Sequence, residues 1–290
     1  MMRNAGPIAV VLLVIAVMWY AGSFFMNRAW TMDQAERAGT TPTLSEVFRD
    51  TMQQDRARLP APHQIASELY EGTFKKKTNS KRSFVYHGYI TLEATMAGFV
   101  LGIILGVTLA IVIVLSRVFD LMLMPWAIIS QTIPVIALAP MIVILTNAMG
   151  AGSLLVPKAI VAAYLSFFPV LVSMVKGLRS PSAMQLDLLR TYGASPSQVF
   201  WKLRLPSSMP YFFASLKIAV AAALVGAIVG ELPTGAIAGL GARMLIGSQF
   251  GEPMIMWAAL FAAAILAAML IWVVSGVEKV AARMMGVREA

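Results

Sequence analysis

The sequence has no cysteine, only two histidines and few charged side chains, which make up 13% of its 290 residues. Without cysteine the chain can form neither a disulfide nor a cysteine-ligated metal site. The two histidines, His63 and His87, are typical of plain polar residues near a membrane surface rather than of a metal centre. The sequence therefore predicts no metal site and no cofactor.

Phosphate-binding and catalytic motifs are also missing. The chain contains no Gly-x-x-x-x-Gly-Lys-Ser/Thr loop, no His-Glu-x-x-His and no Gly-x-Ser-x-Gly turn. It therefore cannot bind and split ATP through such a loop. We expect a chain that is not an enzyme and has no soluble catalytic domain.

What the sequence does contain is apolar: 59% of its residues are hydrophobic and its mean hydropathy is +0.76. This composition is far from that of soluble domains and predicts an all-α polytopic membrane protein, which has membrane lipids around it. The net charge of +9 comes from lysines and arginines in loops beside the apolar runs. That distribution reports membrane topology and argues against a nucleic-acid partner.

Six apolar runs are long enough to cross a bilayer as helices. An N-terminal helix occupies residues 1–26, and an apolar core over residues 84–290 has spans at about 86–115, 121–146, 154–175, 211–232 and 254–277. Arg3 before the first span, and Lys279, Arg283 and Arg288 after the last, predict that both termini are cytoplasmic. A cleaved signal peptide ending near Ala21-Gly22-Ser23 is the alternative for the first run.

Residues 27–83 form a polar segment with ten basic and seven acidic side chains, predicted to be extracytoplasmic. After Pro60, the apolar positions Ile65, Leu69 and Tyr70 predict a short helix along the membrane surface. The basic cluster from Lys75 to Arg82 opposes the positive-inside tendency. That tendency weakens for long loops, so the topology is kept.

Some residues of the apolar spans are candidates for helix packing, and others are candidates for lining a pathway. Gly98, Gly102 and Gly106 remove the side chains from one helix face, so another helix can approach closely. Prolines in the third span predict exposed backbone around Gln131, Thr132 and Pro134, although a kinked packing helix is the simpler alternative. Carboxylates inside a membrane are functional candidates or paired structural groups, which here concerns Glu93 and Glu231.

A polar, basic stretch from Ser180 to Pro210 interrupts the last apolar blocks. Ser180-Pro181 and Ser195-Pro196 predict the starts of two short helices, and Gly193 suits a left-handed residue that closes the first one. Pro206 is predicted to end the second. Leu186 and Leu189 on the first helix, and Val199, Phe200 and Leu203 on the second, give the hairpin apolar surface that needs a partner.

This stretch resembles the cytoplasmic coupling loop of ABC importer permeases. That loop reads Glu-Ala-Ala, three residues, Gly, nine residues, an aliphatic residue, any residue and Leu-Pro. The matching residues here are Asp187, Leu188, Leu189, Gly193, Leu203, Leu205 and Pro206. The departures are Asp for Glu and two Leu for two Ala. Ser130-Gln131-Thr132-Ile133-Pro134 and the residues to Pro140 are similar to importers of the nitrate, sulfonate and taurine subgroup.

The resemblance covers about residue 60 to the end and implies a type I importer-like subunit in the cell inner membrane. It implies separate ATPase subunits, an extracytoplasmic substrate-binding protein and a second permease subunit, most simply in a homodimer, with a heterodimer as the alternative. The solute would be small and polar, such as nitrate, a sulfonate, taurine or a pyrimidine. An ion-gradient-driven secondary transporter or channel is the other hypothesis, and a membrane scaffold without a pathway is a third. A secondary transporter should show a second, related set of broken helices, and the sequence contains no such repeat.

Overall fold

The computed structural model describes residues 5–150, 152–233 and 238–284, and all regular elements among them are helices. Arg3 and Arg288, used above to predict topology, lie outside these residues. The first four helices are α1 (Ala5–Arg37), α2 (Leu44–Thr51), α3 (Pro62–Tyr70) and α4 (Phe84–Leu115). The others are α5 (Arg117–Ser130), α6 (Val135–Ala148), α7 (Leu155–Leu178), α8 (Ala183–Thr191), α9 (Pro196–Val199), α10 (Leu205–Glu231), α11 (Leu240–Gln249) and α12 (Pro253–Met284).

Five continuous helical stretches in the described residues are long and apolar enough to cross a membrane. They contain α1, α4, α7, α9 with α10, and α12. The pair α5 and α6 makes a sixth span if it is counted as one, although the two helices are bent by 102°. The predicted all-helical membrane fold is therefore confirmed.

The chain divides into two compact units, of which the first comprises residues 1–88 and 242–263. The polar segment 27–83 in this unit contains more helix than predicted. Helix α1 continues to Arg37, and α2 is a helix that was not predicted. The Asn27 side chain is buried and ties these pieces together. Its amide nitrogen donates to the carbonyls of Leu59 (2.9 Å) and Thr51 (3.3 Å), and its amide oxygen accepts from the Leu59 N–H.

The second unit comprises residues 89–241 and 264–290, and its core is formed by α4, α7 and α10. A Cβ atom on Gly98 would lie 2.7 Å from the Ala159 carbonyl oxygen, and one on Gly106 would lie 2.7 Å from that of Phe167. The predicted close approach of another helix to this glycine row is confirmed, and that helix is α7.

The third span, predicted at about 121–146, is interrupted, so the alternative of a simple kinked packing helix does not hold. Helix α5 ends at Ser130 and α6 begins at Val135, with a turn between them. Pro134 has no N–H to continue the helix, and it disfavours a helical conformation in the residue before it. Pro125 and Pro140, by contrast, lie inside helices.

The prediction that Pro206 ends a short helix is wrong. Helix α9, a π-helical turn from Phe200 to Arg204 and α10 form one continuous helix of 36 residues. In the π-helical turn the Leu205 N–H donates to the Phe200 carbonyl, five residues back. This wider turn accommodates the proline ring at the start of α10 without breaking the helix.

Candidate functional site

The hairpin between α7 and α10 is defined by two matching helix starts. Ser182 Oγ accepts from the Gln185 N–H at 3.3 Å, and Gln185 Oε1 accepts from the Ser182 N–H at 2.9 Å. Ser195 and Gln198 repeat the same arrangement at 3.3 and 2.8 Å. The second start is the predicted one, while the first lies two residues later than predicted because Ser182, not Ser180, has Gln three positions on.

Gly193 closes helix α8 in the left-handed conformation that its position predicted, with φ of +67°. The Gly193 N–H donates to the Arg190 carbonyl at 2.9 Å, and the Ala194 N–H donates to the Leu189 carbonyl at 3.0 Å. These two bonds form a Schellman motif, which satisfies the last carbonyls of α8. The angle between α8 and α9 is therefore set by hydrogen bonds at both ends of a four-residue connection, residues 192–195.

An exposed apolar face runs along α8. Met184, Leu188 and Tyr192 are spaced by four residues, and 84%, 56% and 78% of their surfaces are exposed. Trp201, on the continuous helix that begins with α9, is also exposed. The residues that the sequence favoured for contact are less accessible: Leu186, Leu189, Val199 and Leu203 are half-buried and Phe200 is buried. The four-residue spacing was a signal that could have identified this face.

The remaining residues of the pattern that resembles the ABC importer coupling loop lie on α8 and around the start of α10. Asp187 is exposed and pairs with Arg190 at 3.1 Å. Leu203 and Leu205 are half-buried, and Pro206 is exposed. Between them, Arg204 donates from Nη1 to the Leu178 carbonyl at 3.1 Å, which joins the start of the long helix to the end of α7.

The break between α5 and α6 brings Gln131, Thr132 and Pro134 together. Gln131 is half-buried and donates to the Ser130 hydroxyl, while Thr132 and Pro134 are exposed. The Thr132 hydroxyl donates to the Ile129 carbonyl at 2.8 Å. From α7, the Tyr164 hydroxyl donates to the Ser130 carbonyl, so one freed backbone acceptor is satisfied and the break is fixed in place.

Glu231 lies elsewhere and is completely buried. Its Oε1 atom is 3.7 Å from Lys158 Nζ and accepts from the Thr91 hydroxyl at 2.8 Å, while its Oε2 atom accepts from the Gly241 N–H at 2.7 Å. Lys158 is also buried and donates to the Ala238 carbonyl at 3.3 Å. This cluster, the Lys158–Glu231 site, joins α4, α7, α10, the first turn of α11 and the chain just before it.

Glu93 belongs neither to the break between α5 and α6 nor to the Lys158–Glu231 site. It follows Thr91 on α4 by two residues, which is about 200° around a helix, and its side chain is exposed. The predicted pathway residues therefore occupy three places. Within residues 5–150, 152–233 and 238–284 there is no group of three or more histidine or carboxylate side chains that could hold a metal ion.

Comparison with known proteins shows the family to which the chain belongs. Residues 98–286 match the family model described as "Binding-protein-dependent transport system inner membrane component". The formylaminopyrimidine transport permease protein ThiX of Halalkalibacterium halodurans is 34% identical over 67% of this chain and 73% of its own length. The riboflavin transport system permease protein RibX of Chloroflexus aurantiacus is 35% identical over 68% of this chain and 69% of its own.

The fold has a counterpart among solved structures. An inward-facing structure of the MetNI methionine ABC transporter matches with a TM-score of 0.54 at 19% identity, covering 68% of this chain and 95% of the other. At this identity the likeness concerns the fold alone. The family match covers well over half of the sequence, including the glycine row, the break, the hairpin and Glu231. The chain belongs to the family of binding-protein-dependent transport system inner membrane components and is a multi-pass permease subunit of an ABC importer.

Proposed function

We propose that this permease docks onto a separate ATPase through the hairpin of α8 and α9, and that ATP-driven movement of the ATPase opens and closes a pathway for a small polar solute. The observation that carries this proposal is the exposed apolar face of Met184, Leu188 and Tyr192 on α8 and its C-terminal cap, which lie outside the apolar spans. An apolar surface of this kind on a polar segment is typical of a protein interface.

The hairpin is suited to passing on a displacement. Helix α9 continues into α10 without a break, and Arg204 joins the start of this helix to the end of α7. Arg179 pairs with Asp120 at 2.9 Å, which connects the same region to α5. A push on α8 therefore reaches three spans as a rigid-body movement. ATP binding can drive the change only because the ATPase contacts the two states differently.

The topology follows from counting α5 and α6 as one span. The hairpin then lies on the same side of the membrane as both termini, and this side is the cytoplasm of a cell inner membrane. Lys176, Lys202 and Lys279 are on that side, in agreement with the positive-inside rule. The polar segment 27–83 lies on the opposite side, where family members receive solute from a binding protein.

The pathway itself is assigned to the break at Gln131, Thr132 and Pro134, with Glu93 as a second candidate. Polar side chains and irregular backbone are tolerated at membrane depth where they are buried in protein or line a water-filled cavity. Glu231 is assigned a supporting role, because its carboxylate is buried and used by Lys158, Thr91 and Gly241. A homodimer completes the pathway.

The solute is inferred to be a pyrimidine-like compound within the broader class of small polar solutes. The names of the two relatives above describe them as permeases for formylaminopyrimidine and for riboflavin. Both compounds contain flat nitrogen heterocycles. Gln131 and Thr132 offer neutral hydrogen bonding of the kind that such a ring uses.

Docking is tested by Leu188→Glu, which places a charge in the exposed face of α8. The matched control is Leu44→Glu, because Leu44 is 77% exposed on α2, another short helix in a polar segment. We expect Leu188→Glu to lower co-purification of the ATPase by roughly tenfold or more, as for a central interface residue. Leu44→Glu should not change it. If the Leu188→Glu variant kept normal ATPase binding and substrate-stimulated ATP hydrolysis, the docking proposal would be wrong.

A further inference from the structure

The segment before α4 carries a concentration of positive charge. Five of the eight residues from 75 to 82 are basic, and all five are exposed. Glu71 pairs with Lys75 at 2.8 Å and, mainly through this hydrogen bond, raises the pKa of the Lys75 ammonium group. In the part of the chain that the structure describes, Lys76, Lys77, Lys81 and Arg82 form no ion pair. Their charge is therefore available to an anionic partner.

This basic segment lies at a membrane surface. Helix α4 begins at Phe84, two residues after Arg82, and has 32 residues. Such a helix is about 48 Å long, whereas the hydrocarbon core is about 30 Å thick, so the ends of α4 reach the headgroup layers. Tyr70 and Phe74 are both exposed, with ring centroids 5.3 Å apart. Exposed aromatic rings beside a span are typical of the membrane interface.

An apolar groove lies along the helix that leads into the basic segment. Ile65, Ala66 and Leu69 of α3 line it together with Trp19 of α1 and Phe261 of α12, all within the first unit. Trp19 donates its indole N–H to the Pro60 carbonyl at 3.1 Å, so the ring can offer its apolar face to the groove. The groove volume is about 190 Å³. Pockets for whole small molecules hold roughly 300 to 1,000 Å³, so this groove suits part of a chain.

The groove and the basic segment are close in the sequence and on one helical path. Helix α3 continues through a π-helical turn that ends at Lys75, six residues after Leu69. Six helical residues correspond to an axial distance of about 9 Å. A molecule with an anionic head and an apolar tail can therefore contact both features at once.

We propose that α3 and the basic segment 75–82 bind an anionic phospholipid, with its phosphate on the unpaired lysines and arginine and part of an acyl chain in the groove. The aromatic pair Tyr70 and Phe74 lies at the headgroup level beside it. An acidic protein would account for the charge alone, whereas a phospholipid also accounts for the groove, the aromatic pair and the adjacent span. This binding site is independent of the ATPase, of the transported solute and of the side of the membrane on which the segment lies.

The experiment compares two variants that lose the same charge from the same polar segment. The first carries Lys76→Gln, Lys77→Gln, Lys81→Gln and Arg82→Gln. The control carries Gln at four other exposed arginines of this segment, namely Arg28, Arg49, Arg56 and Arg58. Delipidated full-length protein is titrated with phosphatidylglycerol and with phosphatidylcholine, and bound lipid is counted by native mass spectrometry.

Wild-type protein and the arginine control should bind phosphatidylglycerol roughly tenfold or more tightly than phosphatidylcholine, and the first variant should lose this preference. Ala66→Phe, at an exposed position in the groove, should weaken binding of long-chain phosphatidylglycerol but not of a short-chain form. Equal affinity for the two lipids in wild-type protein would overturn the proposal. So would equal losses in both charge variants, or binding of inorganic phosphate or polyglutamate as tight as that of the lipid.

Discussion

The Lys158–Glu231 site and the break at Ser130–Pro134 both place polar groups among apolar helices, but they satisfy those groups differently. Glu231 and Lys158 are buried, and their other partners come from α4, from the first turn of α11 and from the chain before it. At the break, Thr132 and Pro134 are exposed, and most of the bonds are made to neighbouring residues of the same turn. The first site joins helices, and the second leaves polar atoms accessible.

This difference separates two roles that intramembrane polar residues can have. A charge inside the membrane is costly unless it is paired, so a buried pair with further hydrogen bonds is a structural connection that resists opening. An accessible polar turn makes most of its hydrogen bonds within itself, so a change in its surroundings costs it little free energy. We therefore expect substitutions at the first site to act mainly on stability, and substitutions at the second to act mainly on transport.

The largest effect is expected when one charge of the Lys158–Glu231 site is removed. Glu231→Gln leaves the Lys158 ammonium group buried without its counter-charge. Lys158→Met likewise leaves the Glu231 carboxylate buried without a counter-charge. Each single variant should lose about 3 to 5 kcal/mol of stability. In the double variant both charges are gone while the Gln oxygen still accepts from Gly241, so most of the loss should be recovered. Thermal unfolding of the purified permease measures this coupling.

The matched control is an ion pair that is not fully buried. Lys217 of α10 pairs with Glu278 of α12, and both side chains are partly exposed. Lys217→Met should cost no more than about 1 kcal/mol. A loss of the same size at both pairs, or additive losses at Lys158 and Glu231, would show that burial does not distinguish the Lys158–Glu231 site.

A smaller effect is expected from Gly98→Ala in the same close-packed core. The new Cβ atom would lie 2.7 Å from the Ala159 carbonyl oxygen and 2.9 Å from the Ala163 nitrogen. Because both are backbone atoms, α4 and α7 must move apart, at about 1 to 3 kcal/mol. Gly276→Ala on α12 is the control, since no heavy atom lies within 4 Å of its added Cβ. Its melting temperature should stay level or rise, and an equal fall in both variants would contradict the packing argument.

Features that depend on local chemistry could be predicted from the sequence. The membrane class follows from composition, and the close approach of α7 follows from the spacing of Gly98, Gly102 and Gly106. The left-handed Gly193 and the start of α9 follow from capping rules that involve only a few neighbouring residues. These predictions are confirmed: the bonds at Gly193 and Ser195 join residues at most five positions apart, and the glycine row is in close contact with α7.

Features that depend on competition between contacts could not be predicted. Pro134 breaks its span and Pro206 does not, because a π-helical turn accommodates Pro206 while Tyr164 holds the backbone near Pro134 in its broken form. No local pattern distinguishes these two prolines. Similarly, Glu231 and Glu93 are both carboxylates of apolar helices, and only the packing of α7 against α10 gives Glu231 its lysine.

The smallest effect on stability, with the most specific effect on transport, is expected at Thr132. Thr132→Val keeps the side-chain shape and removes an exposed hydroxyl together with its hydrogen bond to the Ile129 carbonyl, so stability should fall by no more than about 1 kcal/mol. If this hydroxyl contacts the solute, uptake of a formylaminopyrimidine into proteoliposomes with the ATPase and binding protein should need a higher substrate concentration. Thr146→Val, at a buried threonine of α6 that bonds only to its own helix, is the matched control and should leave uptake unchanged. Unchanged uptake in the Thr132→Val variant, or an equal change in both, would remove Thr132 from the pathway and leave Gln131 and Glu93 as the polar side chains to be tested next.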